Sequence, residues 1–221
     1  MTFSLNGLVA QLSPADQAML LKRSHAAELK AGQILSQPES DDQHVYFLTS
    51  ASVALVVLNG HRTGLAVGLA GHEGAVGLQF ALGLGAGNLT LMVQSAGRGW
   101  RTDGVELQRL LQRRSAMLMT FSRYIWSVAQ EVATLAAASQ VQDIKARLAG
   151  WILISEERSR QQDLVLTHAH LADMLGVRRA SITIAAVELK EQGLLDYQRG
   201  RIEILDRRGL AALAYGPLSA T

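Results

Sequence analysis

Hydrophobic residues follow two different patterns along the 221-residue chain. In the first half the apolar segments are short and are separated by glycine-containing or polar turns; they cover residues 34–35, 45–48, 53–58, 65–69 and 89–94. Short segments at such close spacing predict an all-β roll or barrel. Ahead of them, residues 12–29 predict one helix, with Ser13 as its N-cap and Pro14 at its first position.

The second half of the chain has helical spacing. Residues 105–111 predict a short helix, and in the longer helix that follows six apolar residues are spaced 3, 4, 3, 4 and 3 apart. These six are Leu118, Phe121, Ile125, Val128, Val132 and Leu135. Such a seam is typical either of a face that pairs with a second copy or of a core helix that lies on the roll. A further amphipathic helix carries Ile144, Leu148, Trp151 and Ile152.

Residues 166–193 predict two short helices on either side of a glycine turn. Thr167 is a suitable N-cap, and the apolar stripe of the first helix consists of Leu171, Met174 and Leu175. Gly176 tolerates the left-handed conformation that a sharp helix exit requires. The pattern is that of a helix-turn-helix.

The second helix of this pair has distinct inner and outer positions. Its spacing directs Ile182, Ala186 and Leu189 to the core and leaves polar residues near the exposed N-terminal end: Arg178, Arg179, Ser181 and Thr183. Arginine binds guanine or phosphate, and hydroxyl groups bind either bases or the DNA backbone. The alternative is a helical hairpin with two solvated arginines.

Residues 194–205 alternate between apolar and polar and predict a hairpin. Arg199 and Gly200 offer its tight turn, so Arg199 and Arg201 are placed to contact phosphates beside the groove. A two-helix reader followed by such a hairpin makes a winged helix. A protein that reads DNA half-sites gains from two-fold symmetry, and we therefore favour self-association through the heptad seam.

Composition limits the remaining classes. A net charge of +2, from 21 basic and 19 acidic residues, requires that nucleic-acid affinity come from local arginine clusters. The absence of cysteine excludes disulfides and cysteine-bound iron–sulfur clusters. The most apolar interior stretch, residues 45–58, is too short to span a membrane, and we expect a soluble, cytoplasmic protein that does not bind membranes. The glycine-rich run 83–87 precedes a strand pattern rather than a helix, which favours a loop over a dinucleotide site.

The order of these parts resembles the cyclic-AMP receptor protein and fumarate-nitrate regulator (CRP/FNR) superfamily. The resemblance covers nearly the whole chain and is most specific at Leu171-Ala172, Leu175-Gly176-Val177, Arg179, Ser181-Ile182 and Gly193-Leu194-Leu195. It implies an α+β chain with a cyclic-nucleotide-binding-like β-roll (1–110), a long dimerisation helix (111–139) and a C-terminal winged helix-turn-helix (140–221).

The resemblance also implies a homodimer on a palindromic double-stranded DNA operator, with RNA polymerase as a further partner. By position, Arg179 resembles the family's base-reading arginine. Ala180 stands where many members have glutamate, and Ile184 where several have a second base-contacting arginine. The target sequence therefore does not transfer from other members.

The effector site departs further from the family pattern. Members that bind cyclic AMP use a glutamate and an Arg-Ser pair, and the segments here are Gly77-Leu78-Gln79 and Asn88-Leu89-Thr90. Loss of both charged groups disfavours a cyclic nucleotide unless Arg62, Arg98 or Arg101 substitutes. Haem would need axial ligands from among His44, His61 and His72, which are more typical of loops. His168 and His170 are expected at the helix surface, where they do not share a metal. We expect no cofactor and no metal.

The sequence thus predicts a dimeric, sequence-specific transcription regulator whose roll either senses an unknown effector or serves mainly as a dimer scaffold. The alternative is a ligand-binding adaptor whose winged helix contacts proteins. An enzyme ranks third, because no nucleophile with a base, metal ligand set or phosphate loop is recognisable.

Overall fold

The computed structural model describes residues 5–40, 42–58, 64–159, 164–198 and 200–216. Its N-terminal part contains three short helices and eight strands. The helices are α1 (Gly7–Ala10), α2 (Pro14–Leu21) and α3 (Leu78–Ala81). The strands are β1 (Ser24–Leu29), β2 (Ile34–Ser36), β3 (His44–Leu48), β4 (Ser52–Leu58), β5 (Gly64–Ala70), β6 (Ala75–Val76), β7 (Leu89–Ser95) and β8 (Gly97–Asp103).

These strands form two four-stranded antiparallel sheets, ordered β1-β8-β3-β6 and β2-β7-β4-β5. The roll prediction is confirmed. Ser13 caps α2 by accepting a hydrogen bond from the Asp16 amide. The prediction of a single helix over residues 12–29 is wrong in its second half, because Ser24–Leu29 is a strand that pairs with β8 along its whole length.

Three helices follow the roll: α4 (Gly104–Arg113), α5 (Ser115–Val141) and α6 (Ile144–Arg158). The Asp103 side chain caps α4 by accepting from the Glu106 amide, and Asp143 caps α6 by accepting from the Ala146 amide. Local capping therefore defines where α4 and α6 begin.

The C-terminal part is a winged helix. Its elements are β9 (Leu164–Val165), α7 (His168–Leu175), α8 (Arg179–Glu191), β10 (Leu195–Gln198), β11 (Arg201–Ile204) and α9 (Arg207–Tyr215). The three strands form an antiparallel sheet ordered β10-β11-β9, and the residue opposite Gln198 is Arg201. Among the described residues, every helix is either too short or too polar to cross a lipid bilayer.

One hydrophobic core joins the roll to the winged helix. It combines residues of β4 and β5, such as Val56 and Leu69, with α6 and the helix-turn-helix. At the same junction, Trp151 Nε1 donates to Gln94 Oε1 at 2.9 Å, and Gln94 Nε2 donates to Ser155 Oγ at 2.9 Å. The packing thus crosses the predicted boundaries at residues 110 and 140.

Candidate nucleic-acid interface and adjoining cavity

The turn between α7 and α8 is built from local hydrogen bonds. Thr167 caps α7 by accepting from the His170 amide at 3.1 Å, and Gly176 ends the helix with φ 64°. The Arg147 guanidinium donates to the Leu175 carbonyl at 2.6 Å and satisfies an otherwise open helix end. As a hydrogen-bonded cap, Thr167 fixes the entry angle of α7.

Helix α8 separates its core and solvent faces as the sequence predicts. Ile182, Ala186 and Leu189 are buried. At the N-terminal end, Arg178, Arg179 and Thr183 are exposed and Ser181 is half-buried. Arg178 is the N-cap residue and its side chain makes no capping bond. This end therefore combines the positive pole of the helix dipole with two guanidinium groups, which is an arrangement that attracts anions.

Thr183 also has an intramolecular role that the sequence does not show. Its hydroxyl donates to the Arg179 carbonyl at 3.1 Å and lies 3.0 Å from His168 Nδ1. The His168 ring stacks on Tyr197 of β10 with centroids 4.3 Å apart. These contacts tie helix α8 to the wing.

The two histidines of α7 are half-buried rather than surface residues, which corrects the expectation for them. Burial lowers the pKa of His168, and the positive charge of Arg179 lowers it further. Burial also lowers the pKa of His170, against an opposing effect of Asp173. Both rings are therefore held in the neutral form at neutral pH.

An apolar pair on the outer face of α8 was not predicted to be functional. Ile184 is 61% exposed and Val187 is 49% exposed. Within the major groove, such side chains match the C5-methyl group of thymine. The sequence offers one sign of this pair: Ile184 and Val187 are apolar but lie outside the buried positions of α8, which are occupied by residues such as Ile182.

The wing presents Arg201 as an exposed residue at the start of β11. Gly200 adopts φ 83°, which gives the tight turn that the sequence predicts. Arg199 lies outside the described residues. Of the two arginines predicted to contact phosphates, the structure therefore describes only Arg201.

The predicted heptad seam faces the chain's own roll along most of its length. Phe121 is 1% exposed and packs in the core of the roll, where it meets Phe47 edge-on. Ile125 and Val128 line a cavity, Val132 lies against Gly68 of β5, and Leu135 packs on the shared core. Leu118 is 36% exposed. For five of the six positions, the structure has the arrangement of a core helix lying on the roll, the second of the two alternatives.

A different stripe of α5 faces solvent. Its members are also spaced 3, 4, 3, 4 and 3 apart, and all are exposed: Met119, Ser122, Trp126, Ala129, Ala133 and Ala136. Trp126 is the largest of them and is 66% exposed. We call this set the outer stripe. It is shifted by one position from the predicted seam, so α5 is apolar on two faces.

A cavity of about 550 Å³ lies between the roll and the inner face of α5. Most of its wall is aliphatic. The larger aliphatic side chains are Leu55, Leu69, Val76, Leu78, Leu82, Leu84, Leu89, Leu91, Ile125 and Val128. A cavity of this size accommodates a small organic molecule.

The candidate effector residues divide between this cavity and other places. Gly77, Leu78, Gln79 and Leu89 line it. Asn88 is exposed and Thr90 is buried in β7, and neither is part of the cavity lining. Of the proposed substitute cations, Arg62 lies outside the described residues, Arg98 is exposed and pairs with Glu28 at 3.9 Å, and Arg101 is exposed on β8.

A charged network closes one end of the cavity, and sequence reasoning missed it. Arg158 of α6 donates to Glu131 of α5 at 2.7 Å and to Glu73 of the roll at 3.0 Å. The Gly71 amide donates a hydrogen bond to Glu73 Oε1 at 2.9 Å. Burial raises the pKa of Glu131 and outweighs the attraction of Arg158. The opposing carboxylates raise the pKa of Arg158 against the effect of its burial.

The candidate haem ligands of the roll have local partners. His44 is hydrogen bonded to Asp42, and His72 Nδ1 lies 3.9 Å from Glu73 Oε2. His61 lies outside the described residues. In the part of the chain that the structure describes, no three His, Asp or Glu residues are grouped so as to hold a metal ion.

The chain thus combines a β-roll, a long helix and a winged helix that has an exposed, arginine-bearing helix end. Residues 146–213 match the family model described as a Crp-like helix-turn-helix domain. A comparison with curated protein sequences finds no match.

Solved structures share the fold. A protein from Eubacterium rectale assigned to the Crp/Fnr family is 17% identical, with a TM-score of 0.74 over 96% of this chain and 99% of that one. FixK2 from Bradyrhizobium japonicum is 13% identical, with a TM-score of 0.73 over 86% and 96%. The c-di-GMP-responsive regulator CLP of Xanthomonas campestris is 18% identical, with a TM-score of 0.69 over 87% and 99%. The chain thus shares the fold of these solved structures, and its residues 146–213 are similar to the Crp-like helix-turn-helix domain.

Proposed function

We propose that this protein is a homodimeric, sequence-specific DNA-binding transcription regulator. The observation that carries the proposal is the exposed N-terminal end of α8, where Arg178 and Arg179 extend from a helix that packs on the core through its opposite face. A helix presented in this way fits the major groove of DNA. Arg179 has the length and donor geometry to read a guanine edge, and Arg178 to contact a phosphate.

The wing supports the same docking mode. Arg201 is exposed beside the tight turn at Gly200, and Thr167 caps the helix that precedes the turn of the helix-turn-helix. Contacts from the wing to phosphates position a reader on DNA but do not select sequence. In this proposal Arg178, Arg199 and Arg201 supply affinity, and Arg179, Ser181 and Thr183 supply sequence preference. Contact with RNA polymerase belongs to the same proposal.

The second copy is proposed to bind along the outer stripe rather than along the predicted seam. The stripe repeats over the length of α5, and alanine at 129, 133 and 136 lets two helices approach closely. A two-fold axis would bring each Trp126 against the partner's stripe and bury a side chain that is 66% exposed in one chain. Two recognition helices would then face adjacent major grooves about 34 Å apart.

The test is selection of DNA fragments from a random-sequence library, followed by titration of the enriched fragment. Arg179→Ala is expected to cost about 1–3 kcal/mol on that fragment and to relax preference at one position. Arg113→Ala, which removes the same charge from an exposed position of α4, is the matched control and should leave both quantities unchanged. If the Arg179 variant lost the same affinity for every DNA fragment, Arg179 would contact only phosphate and would not read a base.

The alternative function is an adaptor whose winged helix binds another protein. The exposed apolar pair Ile184 and Val187 is the observation that favours it. The same selection separates the two functions: failure to enrich any fragment, with no retention of random DNA at low salt, would contradict the regulator and support the adaptor.

A further inference from the structure

The cavity has walls from all three parts of the chain. Leu55, Leu69 and Leu89 belong to the roll, Ile125 and Val128 to α5, and Arg158 to α6 of the winged-helix part. A molecule that fills the cavity therefore contacts the part that carries the recognition helix.

The charged end of the cavity has an excess of carboxylates. Glu73 and Glu131 both line it and share one cation, Arg158. The negative charge of Glu157 also acts on Glu131 and Arg158. His72, which lies near Glu73, carries a positive charge only when it is protonated. The other polar groups of the lining, Gln11, Gln79, Ser127 and Tyr124, are neutral.

We propose that this cavity binds a small, mainly apolar molecule with a single cationic group, and that the cation lies between Glu73 and Glu131. This inference rests on the proposed regulator function and names the effector class of its sensor part. The aliphatic wall accounts for the apolar body, and the carboxylate excess accounts for the cation. An anionic ligand would have to displace two carboxylates from Arg158 and would leave three negative groups in a partly buried space.

Binding of the cation would act on the winged helix through Arg158. The ligand's positive charge competes with the guanidinium for the two carboxylates, so the ion pairs of Arg158 with Glu73 and Glu131 weaken. The Arg158 backbone is in contact with Gly71 of the roll, and its carbonyl accepts from the His72 amide at 3.4 Å. Weakening of the ion pairs therefore loosens the C-terminal end of α6 where it meets the roll.

The experiment uses three probes that differ only in their head group: 8-phenyloctylamine, 8-phenyloctan-1-ol and 8-phenyloctanoate. Isothermal titration of the full chain without DNA is expected to give one site per chain for the amine, with binding at least about tenfold tighter than for the alcohol or the carboxylate. Because no DNA is present, this result is independent of the DNA-binding proposal.

Two variants locate the site. Glu131→Gln should remove most of the preference for the amine over the alcohol, and Leu89→Trp, which fills the apolar wall, should abolish binding of all three probes. Glu156→Gln is the matched control, because Glu156 forms its ion pair with Arg207 outside the cavity, at 3.0 Å. Its titration should equal that of the unmodified chain.

The head-group preference of the unmodified chain is itself decisive and needs no variant to fold. Equal or tighter binding of 8-phenyloctanoate, or amine binding that survives Leu89→Trp, would overturn the site. Hydrogen exchange tests the coupling: the amine should speed exchange of amides 155–159 at the end of α6. Binding with unchanged exchange there would overturn the coupling and leave the ligand class standing.

Discussion

Replacement of Gly71 by alanine probes the contact between the roll and α6 with a single added methyl group. An ideal Cβ at this glycine would lie 2.2 Å from the Arg158 carbonyl oxygen and 2.7 Å from the Arg158 Cβ. Gly71 does not have a positive φ, so alanine adds no backbone strain of its own. The whole effect therefore reports how closely the two parts approach.

The cost follows from the geometry. Real Cβ atoms essentially never come within 3.0 Å of another heavy atom, so the 2.2 Å contact must open, and the atoms that must move are backbone atoms of α6. Overpacking of this kind costs about 1–3 kcal/mol. For a chain of this size we expect a fall in Tm of about 2–12 °C.

The assay is guanidinium unfolding followed by circular dichroism, together with a thermal scan. Gly150→Ala is the matched control: a Cβ there meets only Ala214 at 3.7 Å, an ordinary contact. Since Gly150 lies inside α6, alanine should stabilise the chain by about 0.5–1 kcal/mol. If Gly71→Ala were as stable as the unmodified chain, the close packing of α6 on the roll would be refuted.

Three further predictions concern the winged helix and the outer stripe. Arg201→Ala should weaken binding to all DNA sequences alike and reduce the slope of log affinity against log salt by about one; an unchanged slope would remove Arg201 from the interface. Trp126→Asp should raise the dimer dissociation constant at least about 30-fold in sedimentation equilibrium, whereas Arg113→Asp should not change it. His168 has a lowered pKa in the folded chain, so it contributes stability above its unfolded pKa of about 6.5 that is lost as pH falls. Chemical unfolding at pH 7.5 and 5.5 should therefore show a smaller loss of stability in His168→Gln, and an equal loss in both chains would contradict this prediction.

The helix-turn-helix could be predicted from sequence because its determinants are local. The cap at Thr167, the left-handed Gly176 and the buried Ile182 lie within a few residues of the elements they define. The strand β8 (Gly97–Asp103) was missed because its sequence carries little apolar pattern and its partners, β1 and β3, are distant in the chain. Without its partner β8, the sequence pattern of residues 24–29 favours a helix over a strand.

For a related reason, the sequence does not predict which face of α5 packs on the roll, nor the charged end of the cavity. Helix α5 carries large apolar residues on two faces, such as Phe121 inward and Trp126 outward, and spacing alone does not say which face meets the roll. Glu73, Glu131 and Arg158 lie far apart in sequence and meet only after the roll, α5 and α6 have packed together. Only tertiary structure brings such groups into one site.

The hydrophobic core shared by the roll and the winged helix bears on how the chain is made and how it can be divided. Side chains of α6 and α7 share a core with Val56, Ala66 and Leu69 of the roll, and they would be exposed to solvent in a fragment of residues 140–221. Such a fragment would expose an apolar patch and tend to aggregate. During synthesis the roll emerges from the ribosome before the winged helix. The winged helix therefore completes its folding against a roll that is already present.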